Sequence, residues 1–127
     1  MISALCVGAG GFAGAVLRYL LGMLPWQGEF PLITFCINFL GSFLIGAVSE
    51  LALQRSLNPQ LVLFLKTGLC GGFTTFSTFS LETLTLLENG RYALGGAYAL
   101  GSVAACLAGV VAGKTAVRAL IGPAGCQ

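Results

Sequence analysis

The chain offers few side chains for acid-base or metal chemistry, because it contains no histidine and no aspartate. Ser-His-Asp triads and most zinc sites are thereby excluded. The carboxylates are Glu29, Glu50, Glu82 and Glu88. No two are spaced as a catalytic pair in mid-membrane; Glu82 and Glu88 are six residues apart and point in different directions on a helix. The sequence therefore predicts that the protein is not an enzyme.

The five cysteines indicate no redox or metal site, since their number is odd and no CxxC spacing occurs. All but the last lie in apolar segments, where cysteine behaves as a small hydrophobic residue. We therefore expect Cys6, Cys36, Cys70 and Cys106 to pack as apolar side chains. Cys126 belongs to a short tail, 121–127, that we expect to be frayed.

Hydroxyl and amide groups recur at helical spacing on otherwise apolar segments, since residues four apart share one face of a helix. Two such stripes are Thr34, Asn38 and Ser42, and Tyr98, Ser102 and Cys106. Polar groups at membrane depth are costly unless they are satisfied. Two interpretations are open: the groups hydrogen-bond neighbouring helices, or they face a path of water or ions. In the second case the Asn38 amide would donate to an anion without carrying a fixed charge.

The most unusual stretch is Gly71–Ser80, in the middle of a long apolar segment, with two adjacent glycines, five hydroxyls and three phenylalanines. Adjacent glycines weaken a helix, and a Thr-Thr pair adds β-branched stiffness. We predict that the helix breaks near Gly71 to Thr75 and resumes at about Phe76. Backbone groups freed at membrane depth must meet protein, water or an ion, because lipid cannot satisfy them.

Two aromatic residues follow the predicted break at helical spacing. Phe76 and Phe79 are three residues apart and share a face, which Glu82 continues. Aromatic pairs at this spacing are common in ordinary helix packing, so the pair by itself indicates no function.

The elements that carry these groups are predicted from composition. The chain is 57% hydrophobic and 8% charged, with a mean hydropathy of +0.94, whereas soluble domains carry about 25% charged residues. A bilayer span needs roughly 20 apolar residues. We predict an all-α membrane protein, a single domain over 1–127, with four spans at about 3–24, 32–53, 59–87 and 92–120. It would be a multi-pass membrane protein, with the N-terminus as its first span and not a cleaved signal.

The first predicted span carries a glycine stripe and one arginine. Gly10, Gly14, Arg18 and Gly22 fall four apart and share a face. Gly10 and Gly14 permit close helix approach. Arg18 either extends to the headgroups or provides a cation at a pore mouth that attracts an anion.

The basic residues specify orientation only weakly. Four lie toward one side of the membrane, Arg55, Lys66, Lys114 and Arg118, and Arg18 and Arg91 lie toward the other. A weak bias is compatible with insertion in both directions. Four helices bury little surface in one chain, so we expect an oligomer. Two copies could pair antiparallel, with their helix breaks meeting at mid-bilayer. A net charge of +2 is too small to suggest a nucleic-acid partner.

Three segments together resemble the Fluc/CrcB family of fluoride ion channels. They are Gly71–Ser80, the stretch 38–43 (Asn-Phe-Leu-Gly-Ser-Phe) and the stretch 14–19 (Gly-Ala-Val-Leu-Arg-Tyr). The resemblance covers essentially the whole chain. It implies an antiparallel, dual-topology homodimer with two pores in a prokaryotic cell membrane, which exports fluoride passively.

The resemblance also implies roles for individual residues. Backbone carbonyls of Gly71 and Thr74 would hold a structural Na⁺ at the dimer centre. The pore residues would be Asn38, Phe76 and Phe79, with a polar track at Tyr98 and Ser102 and a vestibule arginine at Arg18. Glu82 matches the family glutamate, and Cys106 stands where relatives can carry serine.

The chemistry of these residues agrees with the resemblance. Fluoride is small and strongly hydrated, so a pore must replace its water. The Asn38 amide and hydroxyls such as those of Thr34, Thr75 and Ser77 can donate hydrogen bonds. Ring edges carry the positive end of the aromatic quadrupole and can contact an anion. Oxygen ligands suit Na⁺ as they suit other hard cations.

Two other functions are open. A small multidrug-type, proton-coupled antiporter needs a membrane-embedded acid; the first span has none, and we expect Glu50, Glu82 and Glu88 near helix ends. A non-transporting assembly module of the membrane would use the small-residue faces as contacts, although the polar stripes argue against it.

Overall fold

The computed structural model describes residues 1–122, so Cys126 and most of the tail lie outside the described residues. The first helix is Ile2–Gly22, the second is Leu32–Arg55 and the fourth is Tyr92–Ile121. The third span, Pro59–Glu88, is built from several segments. All four are long and apolar enough to cross a membrane. The prediction of an all-α membrane protein with four spans is confirmed.

The third span has an N-terminal half over 59–73 and a C-terminal half, Phe76–Glu88. The N-terminal half starts with the α-helical turn Pro59–Val62, continues as a π-helix over Leu63–Cys70 and ends with Gly71–Phe73. No pattern in the sequence predicted the π-helix. Such wide turns are rare and often occur near functional sites.

The break is confirmed within the predicted range of Gly71 to Thr75, and the helix resumes at Phe76 as predicted. Gly71 and Gly72 are helical, and the backbone becomes extended at Thr74 and Thr75. Two side-chain bonds explain this position. The Thr74 hydroxyl donates to the Cys70 carbonyl, and the Thr75 hydroxyl accepts from the Thr78 N–H as an N-cap. β-Branched residues also suit an extended backbone.

The glycines instead allow the first helix to lie against the N-terminal half of the third span. A Cβ added at Gly10 or Gly14 would collide with the carbonyl of Phe64 or Leu69, respectively. A Cβ at Gly72 would meet the backbone of the first helix in the same way. Small residues at these positions let the two backbones touch.

The second and fourth helices form a similar pair. Gly109 and Gly113 lie against the backbone of Phe39 and Phe43, and Gly46 lies against the backbone of Val110. One to two turns beyond Gly113, Arg118 Nε and Nη2 donate to the two Glu50 carboxylate oxygens at 2.8 and 3.0 Å. In each pair the contacts advance along both helices together, so the paired helices run in the same direction.

One chain by itself buries little. Tyr98 is the only large side chain among the described residues that is fully buried, whereas Phe76 is 78% exposed. Large apolar side chains are exposed along the first, third and fourth spans. Contiguous apolar surface of this kind requires lipid or protein as cover.

Candidate functional site

The break leaves carbonyl oxygens without their helical partners. The Thr75 N–H, which would bond to Gly71 in an unbroken helix, donates to Asn38 Oδ1 at 2.8 Å. The Thr78 N–H, the helical partner of Thr74, donates to Thr75 Oγ1. Within residues 1–122 no hydrogen bond reaches the Gly71 or Thr74 carbonyl across the break. Two hard oxygen acceptors are therefore free beside the break.

Asn38 closes the gap from the second helix. Its Oδ1 accepts from the Thr75 N–H, and its Nδ2 donates to the Thr75 carbonyl at 3.1 Å. The amide therefore does serve as a link between helices, the first of the two interpretations. Nδ2 carries two hydrogens, and this bond uses one of them. Asn38 also lines a groove, so the second interpretation stays a prediction.

Arg18 reaches the other side of the break. Its Nε donates to the Gly72 carbonyl at 3.2 Å, because the glycine contacts one and two turns earlier hold the first helix close. Both interpretations of Arg18, extension to the headgroups and a cation at a pore mouth, stay predictions. The side chain lines a groove of about 250 Å³ that Thr34, Thr75 and Thr78 also line.

A larger groove of about 390 Å³ lies between the second, third and fourth helices. It brings together the polar stripes and the residues around the break, namely Asn38, Ser42, Gly71, Thr74, Phe76, Phe79, Ser102 and Cys106. The Ser102 side chain is 5% exposed, and its Oγ has no hydrogen-bond partner within residues 1–122. A buried hydroxyl without a partner is costly, which marks this groove as a place where a ligand would be favourable.

The remaining members of the two stripes meet at a carboxylate. Thr34 Oγ1 donates to Glu82 Oε1 at 2.8 Å, and the Tyr98 hydroxyl donates to Oε2 at 2.7 Å. The expectation that Glu82 lies near a helix end is wrong, because it occupies the middle of Phe76–Glu88. The sequence stripes identified both donors, but the carboxylate as their shared acceptor was missed.

Two predicted pore residues, Tyr98 and Ser77, line neither groove. Ser77 lies just after the break. Its Oγ is 3.3 Å from Thr75 Oγ1 on the exposed side of the break. Thr75 Oγ1 also donates to Thr78 Oγ1 at 2.9 Å. The hydroxyls just after the break thus mainly hydrogen-bond one another.

Four aromatic contacts connect the groove to the first loop. The ring centroids of Phe76 and Phe79 are 5.5 Å apart, and those of Phe79 and Tyr98 are 5.3 Å apart. Tyr98 then meets Phe30 at 5.4 Å, and Phe30 meets Phe35 at 5.6 Å. Sequence reasoning missed Phe30, because a single aromatic residue in a loop carries no periodic signal.

The chemistry available around the break is that of oxygen acceptors and weak hydrogen-bond donors. The part of the chain that the structure describes contains no group of three His, Cys, Asp or Glu side chains that could hold a metal ion. A cation here would bind to backbone oxygens, and a small anion would meet amide, hydroxyl and ring-edge hydrogens.

The family model and the individual relatives that match this chain agree on one family. The family model described as CrcB-like protein, Camphor Resistance (CrcB), matches residues 5–114. A protein named fluoride-specific ion channel FluC from Chlorobaculum tepidum is 51% identical over 116 residues, covering 89% of this chain and 92% of the relative. Proteins of the same name from Ruminiclostridium cellulolyticum and Rhizobium meliloti are each 46% identical, covering 94% and 92% of this chain and 95% and 97% of theirs.

Proposed function

This chain belongs to the CrcB family, and we propose on that basis that it is a fluoride-selective channel of the cell membrane. The observation that carries the proposal is the 390 Å³ groove, in which an amide, two phenylalanines and a buried hydroxyl without a partner converge. Carboxylates do not line this groove, so a small anion would meet no fixed negative charge there.

Fluoride would cross by exchanging its water for these groups. The second Asn38 Nδ2 hydrogen and the Ser102 hydroxyl donate to the ion, and the edges of Phe76 and Phe79 present partial positive charge. None of these groups binds as strongly as a lysine would, so the ion can leave again. The pathway runs passively down the fluoride gradient, and its physiological result is fluoride export.

A structural Na⁺ fits the free carbonyls at the break. The oxygens of Gly71 and Thr74 are hard donors without hydrogen-bond partners, which is the ligand type that hard cations prefer. When bound, the ion would supply positive charge at membrane depth and would tie the two halves of the third span together.

The exposed groove supports an antiparallel homodimer with one pore on each side. Phe76 lines the groove and is 78% exposed, so a second copy is needed to close the path against lipid. The weak charge bias between the two ends is compatible with both orientations in the membrane. Such a dimer would bring the two breaks, and their free carbonyls, to its centre.

One observation favours a second candidate, a proton-coupled antiporter. Glu82 is a membrane-embedded acid, and such residues often serve proton transfer. However, both carboxylate oxygens accept hydrogen bonds from hydroxyls of other helices. Fluoride flux that depends on a proton gradient would support this candidate over a passive channel.

The test is fluoride efflux from liposomes, followed with a fluoride electrode, with chloride as the control ion and a protonophore as the second control. We expect rapid fluoride efflux, little chloride efflux and no requirement for a proton gradient. Chloride efflux at a comparable rate would contradict selectivity.

Two variants test the assigned path, Asn38→Asp and Phe79→Ile. Asp cannot donate to the Thr75 carbonyl and brings a negative charge to the groove, and Ile removes the ring edge. Both substitutions should abolish fluoride flux, and size-exclusion chromatography should still show a dimer for each variant. The matched controls are Asn58→Asp, where either side chain can cap the helix, and Phe12→Ile on the exposed first helix. Normal conduction by both groove variants would show that the path lies elsewhere.

A further inference from the structure

The first loop carries an aromatic side chain into the interior of the protein. Phe30 lies in the loop between Gly22 and Leu32, yet its ring meets the ring of Tyr98 edge-on, with centroids 5.4 Å apart and an interplanar angle of 87°. Edge-to-face contacts of this kind are favourable beyond the area they bury. The loop therefore contributes a specific contact to the fourth helix.

Tyr98 is held on three sides. Its ring lies between Phe30 and Phe79, its hydroxyl donates to Glu82, and the residue is fully buried. A tyrosine side chain has two flexible torsions, and two ring contacts plus one hydrogen bond fix both. Phe79 in turn lines the 390 Å³ groove. Any change in the position of the Tyr98 ring would therefore alter the packing of Phe79 at the groove and the hydrogen bond to the Glu82 carboxylate.

The loop itself is well anchored around Phe30. The Phe30 carbonyl accepts from Trp26 Nε1 at 2.8 Å and from the Leu32 N–H at 2.7 Å. The preceding residue, Glu29, forms an ion pair with Arg91 in the turn before the fourth helix. These contacts fix the backbone that presents the Phe30 ring.

We propose that Phe30 is a positioning residue for ion conduction. Its ring holds Tyr98 in the rotamer that packs against Phe79 and donates to Glu82. Phe30 lines neither groove and acts only through Tyr98. This inference rests on the proposed function, because it assigns Phe30 to the same conduction path.

The first experiment compares Phe30→Leu with Phe30→Tyr and Phe12→Leu in the liposome assay. Leu keeps apolar bulk but removes the ring, so we expect fluoride flux to fall about tenfold, equivalent to 1.4 kcal/mol. Phe30→Tyr keeps the ring and should remain within about twofold, and Phe12→Leu makes the same change on an exposed surface and should have no effect. Equal flux from Phe30→Leu and the parent would overturn the proposal.

A double-mutant cycle distinguishes positioning from general destabilisation. Tyr98→Leu removes the ring that Phe30 and Phe79 contact and the bond to Glu82. If Phe30 acts through Tyr98, the double variant should conduct about as well as the worse single variant. If the flux losses of the two single variants multiply in the double variant, the proposal is overturned, because the effects of substitutions at residues that act through one another are not additive.

The third measurement does not depend on flux. In a variant in which Tyr19 and Tyr92 are replaced by phenylalanine, Tyr98 is the only tyrosine, and ¹³C labelling reports it alone. Phe30→Leu should turn its single NMR resonance into several or an exchange-broadened one, and a single sharp resonance would overturn the proposal. If this change occurs but the parent protein conducts no fluoride, the proposed function fails and the Phe30–Tyr98 contact stands.

Discussion

Glycine contacts join the helices in both parallel pairs, but the arginine at the end of each pair has a different partner. In both, glycines let backbones touch: Gly10 and Gly14 in the pair formed by the first helix and the third span, and Gly46 and Gly113 in the pair formed by the second and fourth helices. The first pair ends at Arg18, which donates to a backbone carbonyl beside the break. The second pair ends at an arginine bound to a carboxylate.

The difference separates a site from a scaffold. The carboxylate of Glu50 is 3% exposed and accepts two bonds from Arg118 and one from Gln54. The charges of Glu50 and Arg118 are therefore balanced against each other within the protein. At the other end, Arg18 meets only a neutral carbonyl, so its charge is available to an anion in the smaller groove. Similar packing thus supports a closed ion pair in one place and an open polar site in the other.

The largest expected effects come from adding a methyl group to each glycine contact. Overpacking of this kind costs about 1–3 kcal/mol, and both Gly14→Ala and Gly113→Ala place the new Cβ against backbone, which cannot move aside easily. Gly14→Ala should also displace the break and reduce fluoride flux per folded protein by at least about tenfold. Gly113→Ala should lower the thermal midpoint but leave flux per folded protein near that of the parent.

Gly8→Ala and Gly101→Ala provide the controls, because a Cβ at either position meets nothing within 4 Å and neither residue lines a groove. Both should leave stability and flux unchanged. The distinction between site and scaffold is lost if Gly113→Ala reduces flux per folded protein as much as Gly14→Ala does.

The two arginines allow a second comparison through the same substitution. Arg18→Lys keeps the charge but loses the Nε that meets Gly72, and hydrogen bonds from charged groups contribute about 1.5–3 kcal/mol. We expect fluoride flux to fall about tenfold with a small change in thermal midpoint. Arg118→Lys loses the two-point contact with Glu50 and should lower the thermal midpoint with little change in flux.

Gln54→Ala is the control for the second arginine, since it removes one bond to Glu50 but no charge. It should lower the thermal midpoint less than Arg118→Lys does. A loss of conduction in Arg118→Lys without a loss of stability would place the Glu50 ion pair on the conduction path.

Much of the fold was predictable because it depends on composition and spacing. Apolar length predicted four spans, and the step of four residues predicted the faces of Gly10 and Gly14. Propensity predicted a break within Gly71 to Thr75 but not its exact residues, since Gly71 and Gly72 stay helical. Thr74 and Thr75 break the helix instead, and local hydroxyl bonds of both residues accompany the break.

The site was predictable as a set of polar stripes but not as a set of contacts. The spacing identified Asn38, Ser102 and Tyr98 as candidates without indicating which groups would meet. Tertiary structure divides them, with Asn38 and Ser102 at the groove and Tyr98 at Glu82. Arg18 shows the same limit, because no local pattern predicts a bond to a carbonyl 54 residues away.

Ser102 provides a smaller and more specific test of the open site. Its buried hydroxyl has no partner within residues 1–122, so Ser102→Ala should be neutral or stabilising by about 1 kcal/mol. If the hydroxyl binds the ion, fluoride flux should nevertheless fall several-fold. The control is Ser49→Ala, which is on the second helix but lines neither groove. Fluoride flux through Ser102→Ala equal to that through the parent protein would show that Ser102 does not contact the ion.

The smallest expected effect belongs to the exposed counterpart of the Glu50–Arg118 pair. Glu29 and Arg91 are paired at the opposite end of the fourth helix, with side chains 60% and 56% exposed. Exposed ion pairs contribute little and are screened by salt, so Glu29→Gln should reduce flux by less than about twofold at low salt and not at all at high salt. The exchange Glu29→Arg with Arg91→Glu should restore the low-salt value, because the pairing is retained with its signs reversed. A loss that persists at high salt would mean that Glu29 has a role beyond its charge, and the loop that carries Phe30 would then belong to the site and not to the scaffold.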